Sequence, residues 1–188
     1  RVAPHDERDA PTVPEGVLDF SAQRRLAVDD HLVSGRTIAA DDIAAYFHTG
    51  GTTGAPKLAR HSHGAQVFTA WVCVQLQGTL AADVVINGYP LFHVAGVLPG
   101  ALTSFAAGSE VLIPTTSLFR NRAVLGNYWR LVERYGATVV SAVPTVLEAL
   151  ANTPVGTADI SSLRYCRTGA APLSPDLAAR FESLFGLH

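Results

Sequence analysis

Methionine is absent from the 188 residues, cysteine occurs twice, and a single lysine stands against thirteen arginines. The two cysteines, Cys73 and Cys166, lie far apart and show no metal-ligand spacing, which excludes a disulfide framework or a zinc cluster. They read as small buried apolar residues in a reducing, cytoplasmic setting. No run of about 18 uninterrupted apolar residues occurs, so no transmembrane segment is expected, and the N-terminal RVAPHDERDA lacks the apolar stretch of a signal peptide. Excess positive charge is missing as well. A net charge of −2 and a pI near 6.4 give no basic footprint for nucleic acid or an anionic membrane. The lack of methionine, and an end at LFGLH straight after a helix-like pattern, raise the expectation of a segment cut from something longer.

What is present is a chain 48% hydrophobic and 16% charged, enough to bury a sizeable core. Residues 1–42 hold Pro4, Pro11 and Pro14 and only short apolar runs, and read as a peripheral or linker segment with one short helix around Ser21 to Leu32. From Ile43 two patterns alternate. Strand candidates are IAAYFHT (Ile43 to Thr49), VVINGY (Val84 to Tyr89), EVLIP (Glu110 to Pro114), ATVVSAV (Ala137 to Val143) and LRYCRT (Leu163 to Thr168), each short, rich in β-branched or aromatic residues and bounded by Gly, Pro or Asp.

Helical spacing lies between them. Val124, Leu125, Tyr128, Leu131, Val132 and Tyr135 trace one face of a single helix, weakened by Gly126. Leu177, Ala178, Phe181, Leu184 and Phe185 repeat that spacing with full punctuation: Ser174 as N-cap, Pro175 at the first helical position, Asp176 in the first turn and Gly186 past the end. Helices from about His63 to Leu80 and from about Val94 to Ala106 complete the series. Five strands separated in this way predict an α/β fold, a mostly parallel doubly wound sheet with helices on both faces, over residues 43–188. Such sheets bind ligands at the carboxyl ends of their strands.

HTGGTTGAPK, from His48 to Lys57, follows the first strand candidate directly. Gly50, Gly51 and Gly54 permit positive φ and let backbone N–H groups converge on an anion. Thr49, Thr52 and Thr53 offer hydroxyl donors, and Lys57, the one lysine, supplies charge. Together they make a coherent polyphosphate clamp, with a ligand-free Gly/Thr turn as the plainer alternative. A Walker A loop is excluded, because Pro56 precedes Lys57 and Leu58 follows it, so KLARHSH reads as extended rather than as a helix start. His61 and His63 lack a third metal ligand, and Ser62 and Ser141 lack a nucleophile elbow.

YFHTGGTTGAPKLARHSH resembles the signature loop of the adenylate-forming, AMP-binding enzymes, which include acyl-CoA synthetases and nonribosomal peptide adenylation domains. Departures are the doubled Gly50-Gly51 and Leu58 in place of the usual glycine after the lysine. GYPLFHVAG (Gly88 to Gly96) resembles the family's aromatic/histidine motif, which would set His93 beside the acyl pocket. RTGAAPLSP (Arg167 to Pro175) resembles the segment whose backbone around Gly169, Ala170, Ala171 and Pro172 packs against adenine, and SAVPTVL (Ser141 to Leu147) resembles the lining of the acyl tunnel.

The resemblance implies ATP with Mg²⁺ and a carboxylic acid, fatty in character, giving an acyl-adenylate that coenzyme A then cleaves. It implies His93 and Lys57 as catalytic residues, and Thr49, Gly50, Gly51, Thr52, Thr53, Gly54 and Lys57 as holders of the departing pyrophosphate. No residue of this chain is expected to ligate metal. The family's Tyr-Gly-x-Thr-Glu motif, hinge and C-terminal lysine are not found in these residues, so the 188-residue chain alone is expected to be inactive and to need the remainder of its own chain. Loading of a carrier protein, or a non-catalytic nucleotide-binding role, remain the alternatives.

Overall fold

A computed structural model describes residues 34–50 and 57–187, together with Gly16 and Leu26. Apart from Leu26, the short helix expected around Ser21 to Leu32 lies outside the described residues. The chain divides into two compact units, Pro4–Ala39 and a larger one that carries Ala40–His188.

The larger unit is built on a parallel four-stranded sheet of β3 (Val84–Ile86), β4 (Glu110–Leu112), β5 (Val139–Ser141) and β6 (Tyr165–Arg167), in the order β4-β3-β5-β6. Register sets Val85 against both Val111 and Val139, and Val140 against Cys166. All three residues of β5 are buried, as a central parallel strand covered on both faces requires. One face carries Ile86, Leu112 and Val140 into a core with Tyr128, Trp129, Leu147, Leu150 and Phe181. That core comes from α4 (Tyr128–Tyr135), α5 (Pro144–Ala151) and α6 (Pro175–Phe185). On the opposite face Arg167 reaches Gln77 at the end of α1 (His63–Gln77) and Pro99 in a π-helix, Gly96–Leu102, which runs on into α2 (Thr103–Ala107). The α/β class with helices on both faces is therefore the observed one.

Helix α6 has the expected punctuation. The Ser174 hydroxyl accepts from the Leu177 N–H at 3.2 Å, Pro175 opens the helix, and Gly186 closes it in the left-handed region with φ of 62°. Helix α1 follows the same logic, with Ser62 as its N-cap and Gly78 as its left-handed stop. At the amino ends of the sheet the buried Asp83 carboxylate accepts from the Thr138 hydroxyl at 2.7 Å, the Leu80 N–H at 2.8 Å and the Arg164 guanidinium at 2.5 Å.

Two expectations need correction. The first strand candidate does not join the parallel sheet: β1 (Ile43–His48) pairs antiparallel with β2 (Leu58–Ser62) as a separate two-stranded ribbon. Its residues vary between exposed and half-buried, whereas β3, β4 and β5 bury continuous runs, so the burial of a central strand is missing from β1. The single helix expected from Val124 to Tyr135 is two, α3 (Arg122–Gly126) and α4. Between them Asn127 leaves helical geometry and donates its side-chain amide to the Ala123 carbonyl at 2.9 Å, which caps α3 just past Gly126.

Candidate functional site

Because β3, β5 and β6 run parallel as neighbours, the segments that leave their carboxyl ends emerge along one edge of the sheet. GYPLFHVAG follows β3, AVPTVL follows β5, and TGAAP follows β6. Three of the four stretches singled out in the sequence are thereby placed side by side by topology alone.

His93 is exposed, and its backbone starts the helical run: its carbonyl accepts from Gly96 at 2.9 Å and Val97 at 3.1 Å. Its Nδ1 accepts from the Ala95 N–H at 3.1 Å. The neutral ring therefore carries its proton on Nε2, the nitrogen left to meet a ligand. The turn before it is tight, since a Cβ on Gly96 would run into the Pro90 carbonyl and one on Gly88 would enter the Phe119 ring. Phe92, 72% exposed, borders a cavity of about 610 Å³ that Leu91, Ile113, Thr115 and Leu118 also line.

Past β6, Gly169 is half-buried while Ala170, Ala171 and Pro172 are exposed. Ala170 has φ of 69°, a left-handed conformation that costs a residue bearing Cβ roughly 1 kcal/mol or more. Nothing lies within 4 Å of where a Gly169 Cβ would stand, so the glycine is not demanded by protein packing. Open space above a strained, exposed backbone suits a flat ring stacked on it.

Thr49 and Lys57 face each other at the neck of the β1–β2 hairpin, where the Thr49 N–H and hydroxyl both donate to the Lys57 carbonyl, at 2.8 and 3.2 Å. Gly50 is exposed, and Gly51, Thr52, Thr53 and Gly54 lie outside the described residues. The loop therefore closes an antiparallel hairpin instead of leaving a parallel strand. Among the described residues no hydrogen bond joins this neck to His93 or to Gly169. The extended reading of the residues after Pro56 holds for Leu58–Ser62. His61 packs edge-on against Phe47 with centroids 5.0 Å apart, and among the described residues no group of three potential metal ligands forms.

Beneath this edge lies a polar cluster that the sequence reading did not single out. Arg167 donates from Nε to Ser141 Oγ at 2.9 Å, from one terminal nitrogen to the Pro99 carbonyl at 2.9 Å and from the other to Gln77 Oε1. Burial pulls the Arg167 guanidinium below its usual range, though an arginine stays cationic at neutral pH, and burial raises the Tyr89 phenol. Burial also pushes the Cys166 thiol up to about 12, which leaves it inert. The one signal in the sequence was the second arginine of LRYCRT, placed directly before the Thr168–Pro172 stretch.

The chain matches the family model described as AMP-binding enzyme over residues 4–188. It is 34% identical over 177 residues to marinolic acid–CoA ligase of Pseudoalteromonas sp. (strain SANK 73390), covering 92% of this chain and 27% of that protein. It is 35% identical over 173 residues to feruloyl-CoA synthase of Amycolatopsis sp, covering 90% of this chain and 32% of that one. Apo MatB from Rhodopseudomonas palustris superposes with a TM-score of 0.68 at 27% identity, over 79% of this chain and 28% of the other. The chain thus spans about a third or less of the length of each of these proteins. The family match over nearly all its residues, with an adenylate-forming architecture beneath it, establishes that the chain belongs to the AMP-binding enzyme family.

Proposed function

We propose that the whole protein carrying this chain is an acid–thiol ligase: it joins a carboxylic acid to AMP at the expense of ATP, then passes the acyl group to coenzyme A. The observation that carries this reading is the convergence of His93, the segment after β5 and the strained Ala170 on one carboxyl edge of the sheet. Relatives named as CoA ligases add the acceptor.

In this reading the exposed backbone of Gly169, Ala170, Ala171 and Pro172 receives the adenine face. His93 offers Nε2–H to the acyl carboxylate or the phosphate it attacks. The hairpin loop, with Thr49, Gly50, Gly51, Thr52, Thr53, Gly54 and Lys57, holds the departing pyrophosphate through N–H, O–H and ammonium donors. Mg²⁺ enters with ATP as part of the substrate. Among the described residues no group of three His, Cys, Asp or Glu side chains stands ready to hold it.

The acid has an apolar body, fatty or aromatic; the two relatives are named for marinolic acid and for a feruloyl group. The reaction takes place in the cytoplasm, in keeping with two free cysteines, and no helix among the described residues is long and apolar enough to cross a membrane. The 188 residues alone do not complete the site.

Acid-dependent exchange of labelled pyrophosphate into ATP tests the proposal. The whole protein should support exchange with at least one of a panel of fatty and cinnamic acids, and release AMP when coenzyme A is added. No exchange with any of them would refute it, and thioester formation only on a phosphopantetheine carrier would redirect the second half-reaction.

A further inference from the structure

Arg167 is a half-buried cation whose hydrogen-bond partners are all neutral oxygens, each on a different element: Ser141 at the end of β5, Gln77 at the end of α1, and the Pro99 carbonyl inside the π-helix. Its own carbonyl accepts from Ala142 N–H at 3.2 Å, which fixes the last rung between β5 and β6. Burying a charge against neutral acceptors yields little net stability, and an apolar residue of similar volume serves a core at least as well. What such an arrangement provides is geometry, because a planar guanidinium has its donors in fixed directions.

The geometry at stake lies on both sides of the site. Arg167 is followed at once by Thr168 and the Gly169–Pro172 segment, and Pro99 stands six residues after His93 in the helical run that His93 begins. That run is π-helical, with a proline inside it, and such irregular turns are held in place by neighbours more than by their own hydrogen bonds. One side chain thus ties the helix of the histidine motif to the strand that delivers the proposed adenine segment.

We infer that Arg167 is a positioning residue for adenylate formation: it sets the distance between the His93 helix and the Gly169–Pro172 segment, so that the two reactants meet in register. The inference rests on the proposed ligase activity. A clamp between two half-sites leaves each free to bind its own ligand and governs how the bound ligands meet, so its loss falls on kcat rather than on KM.

The test uses the whole protein with Arg167→Gln and, should that variant fail to fold, Arg167→Lys, whose single ammonium cannot span three acceptors. Expected are a fall of about 100-fold in kcat for pyrophosphate exchange, KM for ATP and acid within about threefold, and faster amide exchange at both 96–102 and 168–171. A kcat within about threefold of the parent, a loss confined to KM, or faster amide exchange at only one of the two segments would overturn it. If the unsubstituted protein shows no exchange activity, the ligase reading falls, while the amide exchange of the two segments still decides whether Arg167 is a clamp.

Discussion

The carboxylate of Asp83 holds the guanidinium of Arg164 at 2.5 Å, joining residues 81 positions apart at the amino ends of β3 and β6. Burial alone would raise this carboxyl, but hydrogen bonds from Arg164, the Leu80 N–H and Thr138 outweigh it and hold the group below its ordinary value of 3.8. The unfolded chain therefore takes up the proton first. The stabilisation is complete above the ordinary carboxylate range and is lost as pH falls through the depressed folded value. Urea midpoints measured from neutral pH down to about 2 should fall on the acid side, and Asp83→Asn should flatten that slope. An unchanged slope in the variant would remove Asp83 as the source.

Replacing Ser174 by alanine removes the acceptor of the Leu177 N–H and should cost about 1 kcal/mol, or roughly 2–4 °C in Tm for a chain of this size. Ser174→Asp should recover the loss, since aspartate caps as well and also complements the helix dipole. Thermal unfolding followed by circular dichroism checks both.

That cap shows what was legible in the sequence. Local signals, the Ser-Pro start and Gly stop of α6 and the alternation of strands with helices, act over a few residues and reappear in the fold. Pairing is not a local property. IAAYFHT has strand composition, yet its partner is chosen by hairpin closure and half-exposure, so it joins the ribbon rather than the sheet. Likewise the proposed roles of His93 and Gly169 rest on short local motifs, whereas Arg167 gains its meaning from oxygens on Gln77, Pro99 and Ser141 that only folding brings together.

Gly88 opens the histidine motif with its α-carbon against the Phe119 ring. Because Phe119 is buried in the core and cannot swing away, Gly88→Ala should destabilise by about 1–3 kcal/mol through overpacking. Phe119→Leu in the same chain should recover part of that loss, which a double-mutant cycle would register as coupling. Strict additivity would mean that the two residues do not collide.

Ala170 sits at φ of 69° on the exposed segment proposed to meet adenine. Glycine adopts that region freely, so Ala170→Gly relieves strain while it loosens the unfolded chain, and stability should change by no more than about 1 kcal/mol. ATP binding should weaken nonetheless, because a segment fixed in its bound shape becomes one that must be ordered. Calorimetric titration of the whole protein with ATP beside its melting curve separates the two effects. Equal ATP affinity in the variant would deny the segment a part in binding.

His93 can be divided by atom. Its Nδ1 accepts from the Ala95 N–H, a task of turn geometry, while Nε2 carries the proton and is the nitrogen proposed to meet the reactants. Asparagine places an amide oxygen near where Nδ1 stands and can keep the turn; glutamine reaches further and places an amide N–H near Nε2. If His93 serves only the start of the helix, His93→Asn should retain activity and His93→Gln should lose it. The proposed role requires the reverse, with His93→Gln keeping more of kcat than His93→Asn and both folded to similar melting temperatures. A donor aimed at developing charge contributes about 10²- to 10³-fold in kcat, so the separation between the two variants is large enough to read in pyrophosphate exchange. Equal loss in both would leave neither nitrogen sufficient alone and would point to the ring's shape instead.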